Sequence, residues 1–574
     1  MERQRPDTTS NEIELYMRTY YSMLRSSGEV RVRSFEEPHG FSKLSLHRGA
    51  RQQRPDMSAF GYAATRLPEC MPDVKRLVLA QSEDQFRAFG YEVHTWPRVA
   101  TRGRRRPTRW NGNGTLAVFI SSASDIDDLV PIVTAYQIEW NKMNALLGGT
   151  DLARKIANKD FEATDDALLT GLGAAFDLPE DRVRKLLLAL GSRCLDGLAA
   201  LATTRADLRM QLLSASFSQY QRAAQRWWSA IEPMVLRQHE PRRPPTYFVS
   251  SNTHSLANLL GGYALAHRDI LAAAARQSPS EEFVRDFERA LAEGRDDVAN
   301  YLYFVLRDQV RANPQLLADV QQWDAESGLV TAPDPGHVEV SAQVIDIAKL
   351  RPERFDPRLA MPGLELLTKS DAIILNIDYP LGMAAYQLLS RVGQGVGSLC
   401  GVFVMGKAAT LNARVGDVLI SSAVHDEHSK NTYVMRNAFS ASDIAPHIKF
   451  GSVLDNQKVL TVRGVFLQNR TYMGLFYREG YTVMEMESGP YLSAIYELVD
   501  PRRHPNDEIV YLGDRTTMPV GMLHYASDTP YSRRQSLLSR SLSYFGMDST
   551  YACAVSITRR ILELEIARIR ARPT

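Results

Sequence analysis

The chain has 574 residues, of which 44% are apolar and 23% charged, close to the globular average, so wholesale disorder is excluded. Its 68 basic and 66 acidic residues leave a net charge of +2. That balance carries no global signature of nucleic-acid or membrane-surface binding, and neither partner is expected. No run of about 18 clean apolar residues is found, because stretches such as Leu256–Ala275 are broken by His267, Arg268 and Asp269. The N-terminus, MERQRPDTTSNEIELY, lacks the apolar core of a secretion signal, and the protein is read as cytoplasmic. Cys70, Cys194, Cys400 and Cys553 match neither a CxxC pair nor a disulfide framework and read as reduced thiols. Of the basic residues 12 are Lys and 56 are Arg, which makes each Lys more informative than usual.

Residues 1–150 read as an α+β region. Glu12–Leu24 has helical spacing, and Val74–Ala80 and Thr115–Ser121 read as buried strands. Between them runs the most basic stretch, Arg98–Arg109, readable as a solvated loop or as a nucleotide contact. Asp125, Asp127 and Asp128 open a helix, where acids favour the N-terminal dipole or hold a cation. Residues 151–337 read as mostly helical, with apolar residues at three- and four-residue spacing over Leu168–Phe176, Arg182–Leu190, Leu208–Ile231 and Ser280–Arg311. Within that region Tyr247–Val249 reads as a strand and Ser250–Ser255 as a capping loop or phosphate cradle. Thr331–Gly336 reads as a linker. Residues 338–574 alternate strands and helices. Strands are expected at Ala372–Asp378, Leu399–Met405, Asp417–Ala423, Val459–Leu467, Tyr481–Met486 and Val520–Ala526, and helices at Gly382–Ser390, Thr471–Arg478, Ser488–Val499 and Ser549–Arg570. This implies an α/β domain with a mixed central sheet, and ligands gather at the carboxyl ends of strands in such sheets.

The residues at the carboxyl ends of those strands are chemically informative. After the first comes Tyr379-Pro-Leu-Gly382. After the second, Gly406-Lys407-Ala-Ala-Thr410 reads as a small-residue turn, either an anion cradle with a lysine charge or a plain strand-to-helix turn. Glu485-Met486-Glu487 places carboxylates where a vicinal diol could donate two hydrogen bonds and a methionine could cover a sugar face. The alternative is a helix N-terminal Glu held by the dipole. Ser527-Asp528 ends the last strand, where the Asp either caps a turn or gives a proton to a leaving heterocycle. No metal cluster and no Ser-His-Asp or Cys-His order emerges from the spacing.

In their order, Asn376-Ile-Asp378 with Gly382, Gly406-Lys-Ala-Ala-Thr-Leu411, Arg414-Val-Gly-Asp-Val-Leu-Ile420, His425-Asp-Glu427, Glu485-Met-Glu487 and Ser527-Asp528 resemble the nucleoside phosphorylase and nucleosidase superfamily, which includes purine nucleoside phosphorylases and AMP nucleosidases. The segment Gly464–Arg470, with Phe466, Asn469 and Arg470, is similar to part of the AMP nucleosidases. The resemblance covers about residues 365–560. It implies cleavage of the N-glycosidic bond of a purine nucleoside or nucleotide, with no cofactor or metal and in a homo-oligomer. Glu487 would bind the ribose hydroxyls, with Met486, Glu485, Phe466, Asn469 and Arg470 around the substrate. Asp528 would protonate the base, positioned by Ser527. Gly382, Gly406, Lys407 and Thr410 would meet phosphate. The chain departs from the pattern where the family turn is Gly-Ser/Thr-Ala/Cys-Gly and here reads Gly406-Lys407-Ala408-Ala409, and where the phosphorylases keep an Arg before that turn. The departure favours water over inorganic phosphate as nucleophile. It also keeps open a protein that binds a nucleotide without turnover.

Overall fold

In the computed structural model the described residues are 9–103, 106–236, 243–332, 338–513, 515–528 and 545–572. They form two compact units. Of the described residues, one unit takes those within 1–223, 338–339 and 462–479, the other those within 224–332, 340–461 and 480–572. The helical stretch expected as one region is therefore divided, its second half belonging with the C-terminal sheet.

The first unit is built on strands β1 (Val30–Arg31), β2 (Arg76–Ala80), β3 (Thr108–Trp110), β4 (Thr115–Phe119) and β5 (Arg209–Leu212), in the order β1-β5-β2-β4-β3. β5, β2 and β4 run parallel, and β1 and β3 are antiparallel edges. β5 corrects the expectation of helix from Leu208 onward; the helix starts at Phe217. A short apolar run fits either period, and pairing with β2 decides it. The 25-residue helix Ala123–Leu147 is buried along most of its length. Its start carries a capping box between Ser122 and Asp125.

The basic stretch before that helix is solvated in part, with Arg98 and Arg102 exposed and Arg109 half-buried. Arg106 is buried, its Nε 2.9 Å from Asp125 and its Nη2 3.0 Å from Asp128. Asp127 accepts from the Tyr20 hydroxyl at 2.6 Å and pairs with Arg463 at 3.4 Å. Arg102 donates to the carbonyls of Leu188 and Ala189, Arg98 pairs with Glu339, and Arg109 pairs with Glu83. Arg104 and Arg105 lie outside the described residues. The acids at the helix start thus hold a cation, supplied by the chain itself.

Among the described residues one helical run, Glu180–Thr203, is long and apolar enough to cross a membrane, against the expectation of none. It is two helices, Glu180–Leu190 and Cys194–Thr203, separated by a tighter turn at Gly191–Arg193, and it packs on helices Met57–Ala64 and Ala123–Leu147 of its own unit.

The second unit carries β6 (Pro245–Ser251), β7 (Leu329–Ala332), β8 (Ala342–Asp346), β9 (Ile373–Asp378), β10 (Ser398–Thr410), β11 (Val418–Asp426), β12 (Thr432–Val434), β13 (Val453–Thr461), β14 (Tyr481–Glu485), β15 (Ile509–Tyr511) and β16 (Val520–Asp528). Their order is β15-β12-β11-β13-β14-β10-β6-β9-β8-β7, with β16 joined to both β10 and β11. The strands β10, β16, β11, β13 and β14 therefore close into a ring. β9 is buried at all six positions, as expected of a parallel strand covered on both faces. Helix Phe545–Arg570 crosses the core formed with β6, β9, β10 and helices Ser255–Gly261 and Val298–Ala312. The fold class is mixed α/β.

Thr331 and Ala332, expected in a linker, pair in β7 with β8; residues 333–336 of that linker, like Pro241 and Arg242 of the Pro-rich break, lie outside the described residues. The strand expected at 459–467 ends at Thr461, after which the chain enters the first unit. Ser250–Ser255 is a capping loop, with Asn252 Oδ1 accepting from the amides of His254 and Ser255 and from the Ser255 hydroxyl.

Removing the Arg106 guanidinium takes a buried counter-charge from Asp125 and Asp128. Arg106→Ala is expected to cost about 3–5 kcal/mol, read as a lower denaturant midpoint at unchanged slope.

Candidate functional site

The candidate site is assembled at the end of β14. Glu485, the last residue of that strand, is buried. Its Oε1 accepts the Thr461 hydroxyl at 2.5 Å, and its Oε2 accepts the amides of Glu487 at 2.6 Å and Ser488 at 2.7 Å. Burial pushes the Glu485 carboxyl up, and these donors work against that shift. Thr461 stands opposite Glu485 in register on β13, and its hydroxyl also accepts the Gly489 amide at 2.9 Å. Glu485 thus holds the turn that presents Glu487 and covers the first amides of helix Ser488–Val499.

Glu487 is buried at that helix start. Its Oε1 accepts the Gly382 amide at 2.9 Å and its Oε2 the Met486 amide at 3.2 Å. Gly382 comes from the loop after β9 and has φ +53°, a conformation glycine adopts without steric cost. The loops after β9 and β14 therefore meet at one carboxylate. Two backbone amides from different loops hold that carboxylate in place. Met486 is buried beside it.

Asp528 is the last described residue of β16 and pairs with Ala409 of β10 across a register shift. The Ser527 hydroxyl lies 3.2 Å from both the Ala408 carbonyl and Asp528 Oδ2. Thr529 and Pro530 lie outside the described residues. On the other side of β10, Ala409 pairs with Met484 of β14. β14 runs antiparallel there, so the chain from Met484 to Glu487 continues back along β10 toward Gly406. The register thus sets Asp528 beside Ala409 and directs the chain toward Glu487 back in the direction of Gly406.

That segment is not the turn expected from its small residues. β10 runs unbroken from Ser398 to Thr410, paired with β16 as far as Ala409. Gly406 is required by close approach: a Cβ there would lie 2.4 Å from Cζ of the Tyr379 ring. Thr410 is buried, its hydroxyl donating to the Thr482 carbonyl at 2.9 Å and accepting the Ala413 amide at 2.9 Å. Lys407 is exposed, opposite Tyr525. The small residues follow from ring packing and strand pairing, which sequence pattern does not separate from a Gly-rich turn.

Phe466, Asn469 and Arg470 belong to the first unit. Phe466 packs its ring against His39, His47 and Tyr62. Asn469 is a buried N-cap whose side chain accepts the Thr471 amide at 2.8 Å, and its backbone bridges to Leu44. Arg470 is exposed at the start of helix Arg470–Arg478.

The model of a family of unknown function, DUF6909, matches residues 32–563. The chain belongs to this family. It matches none of the curated proteins. Among solved structures it is similar to the 5′-methylthioadenosine/S-adenosylhomocysteine nucleosidase of Neisseria meningitidis in complex with methylthio-immucillin-A, at 11% identity over 43% of this chain and 94% of that one, with a TM-score of 0.28. The Arabidopsis thaliana 5′-methylthioadenosine nucleosidase matches at 14% identity over 43% and 90%, with a TM-score of 0.26. Uridine phosphorylase of Schistosoma mansoni matches at 14% identity over 32% and 71%, with a TM-score of 0.24. The functional reading of this DUF6909 chain rests on its own residues.

Two features of the DUF6909 chain carry no signal in sequence pattern. The first is His524, a lone histidine in an apolar strand. It is fully buried between the hydroxyls of Ser421, 3.1 Å from Nδ1, and Ser488, 3.2 Å from Nε2. Burial holds its pKa down at about 4. The second is a buried relay in the first unit. The Tyr16 hydroxyl lies 3.1 Å from His39 Nδ1, His39 Nε2 lies 2.8 Å from His47 Nδ1, and His47 Nε2 lies 2.7 Å from Glu139 Oε1. Burial pushes the His39 pKa down, which keeps that ring neutral. Among the described residues no group of three or more His, Cys, Asp or Glu side chains could hold a metal ion.

Gly406→Ala is expected to displace the Tyr379 ring and lower stability by about 1–3 kcal/mol, as other overpacked sites do, with a matching drop in thermal midpoint. A second expectation concerns pH. Unfolded His524 takes a proton near the ordinary histidine value of about 6.5, whereas folded His524 stays neutral down to about 4. Its contribution is therefore full above pH 6.5 and is lost as pH falls toward 4, by up to about 3 kcal/mol. His524→Asn should flatten the dependence of unfolding free energy on pH across that window; an unchanged slope would contradict the assignment.

Proposed function

We propose that this DUF6909 protein binds a nucleoside or nucleotide at the Glu487 carboxylate and cleaves its N-glycosidic bond, with water as the attacking species. The observation that carries the reading is the clamping of Glu487 by the Gly382 and Met486 amides, with Glu485 bracing the turn beneath it. A buried carboxylate fixed this way is preorganised to accept the hydroxyls of a ribose. Met486 packs beside the sugar.

Cleavage through an oxocarbenium-like sugar needs two things: a proton for the leaving base and negative charge near the cation. Asp528, at the end of β16 and with its Oδ2 3.2 Å from the Ser527 hydroxyl, is the proton donor in this reading. Glu487 supplies the charge. The base leaves with that proton; water adds to the anomeric carbon and loses one proton to solvent, from which Asp528 is reprotonated. Water is preferred to phosphate because the segment Val402–Ala409 carries no arginine and continues as strand where a glycine-rich turn would cradle phosphate.

A second reading is supported by the strand through Gly406–Thr410. Where the resembling enzymes keep a Gly-rich turn, this chain spends the Thr410 hydroxyl on its own backbone. A nucleotide-binding protein without turnover would tolerate that change.

Base release from a panel of nucleosides and nucleotides, with and without inorganic phosphate, separates these readings. Phosphate-independent release is expected, with Glu487→Ala and Asp528→Ala each lowering it by about a hundredfold or more. Strict phosphate dependence would reject water as nucleophile. Binding without release, abolished by Glu487→Ala, would select the second reading, and unchanged turnover in both variants would reject the site.

A further inference from the structure

The cleavage mechanism leaves one buried group beside Glu487 unused. Tyr379 follows β9 directly and opens the loop whose Gly382 amide holds Glu487. Its ring lies against Gly406, close enough that a Cβ there would meet Cζ at 2.4 Å and the hydroxyl oxygen at 2.7 Å. The hydroxyl oxygen is buried and has no hydrogen-bond partner among the described residues. The contrast with a neighbouring tyrosine is direct, since the Tyr491 hydroxyl, also buried, donates to Ser250 Oγ at 2.7 Å. A buried hydroxyl without a partner loses the free energy of its hydration with no return, so such groups are rare unless a ligand or water completes them.

The surroundings narrow what the missing partner is. Burial, then the charges of Glu487 and Glu485, push the Tyr379 phenol above its ordinary range, so it remains a donor. The same two carboxylates repel an anion, which disfavours a phosphate oxygen as the partner. A sugar hydroxyl meets both demands at once. It donates its one hydrogen to a carboxylate and offers lone pairs to a phenol.

We infer that Tyr379 is a sugar-contact residue, its hydroxyl donating to a ribose hydroxyl whose own hydrogen is accepted by Glu487, so that the pair selects ribose over a deoxy sugar. This rests on the nucleoside reading of the Glu487 site. It also accounts for Gly406, because only a residue without a side chain admits the ring to that position. Sites that hydrogen-bond a substrate hydroxyl discriminate strongly against analogues lacking it, since their polar groups are then left buried and unpaired.

The test uses the full-length protein and its Tyr379→Phe variant, titrated calorimetrically with adenosine and AMP and with the 2′- and 3′-deoxy forms of each. Tyr379→Phe is expected to bind the ribose forms about tenfold more weakly, the worth of one hydrogen bond, and to lose most of the ribose-over-deoxy preference for one of the two positions. Its thermal midpoint should be equal to or above that of the parent, because the hydroxyl removed has no partner in the ligand-free fold. Equal ribose affinity in the two proteins, or a midpoint lowered by several degrees, overturns the inference. Glu487→Gln separates the two levels. If it abolishes binding while Tyr379→Phe does not weaken it, the nucleoside site stands and the Tyr379 role falls. If the parent binds none of the six ligands, both fall together.

Discussion

Three hydrogen bonds to one buried carboxylate organise the second unit around its candidate site. Glu485 takes the Thr461 hydroxyl and the amides of Glu487 and Ser488, which links β13, the end of β14 and the start of a buried helix. A carboxylate at that depth is tolerated only with donors on both oxygens. Once they are supplied, the following turn has a single conformation. Glu487 inherits that rigidity, and the Gly382 amide from the loop after β9 completes it. Glu485 therefore braces the turn, although in the sequence it is the twin of Glu487.

Ring closure ties this local arrangement to the strands around it. β16 joins β10 to β11, so that β10, β16, β11, β13 and β14 return on themselves. A closed ring has no free edge, and it brings strands distant in sequence to one place. Asp528 and Met484 flank Ala409 from opposite sides of β10, and Tyr379 covers Gly406 three residues earlier on the same strand. His524, opposite Gly406, ties the ring to the helix after Glu487 through Ser488. Its burial as a neutral imidazole costs little while its two nitrogens face hydroxyls that can orient to suit them.

The first unit uses charge differently. Its acids are matched by the chain's own cations, Arg106 between Asp125 and Asp128 and Arg463 against Asp127. The near-zero net charge reflects such internal matching as well as a mixed surface. Arginine suits the buried role because its guanidinium keeps its charge and reaches two carboxylates at once. The Tyr16, His39, His47 and Glu139 side chains form one hydrogen-bonded chain through a fully buried stretch, and Phe466 packs over its two imidazoles.

Much of the second unit is legible in the amino-acid sequence. β9, β14 and β16 and the helix at Ser488–Val499 sit where hydrophobic runs and turn residues place them, because buried strands and amphipathic helices write their periods into the chain. The strand-end carboxylates Glu485, Glu487 and Asp528 are legible for the same reason. Local pattern fails where a long-range partner decides the outcome. Leu208–Leu212 becomes strand by pairing with β2, Gly406–Thr410 stays in strand because Tyr379 fills the space above Gly406, and Phe466–Arg470 joins the first unit. Sequence alone determined the α/β class and which residue types stand at the strand ends. Only the tertiary structure decided which carboxylate braces and which is presented, and which glycine makes room for a ring, because those outcomes depend on donors and packing atoms far away along the chain.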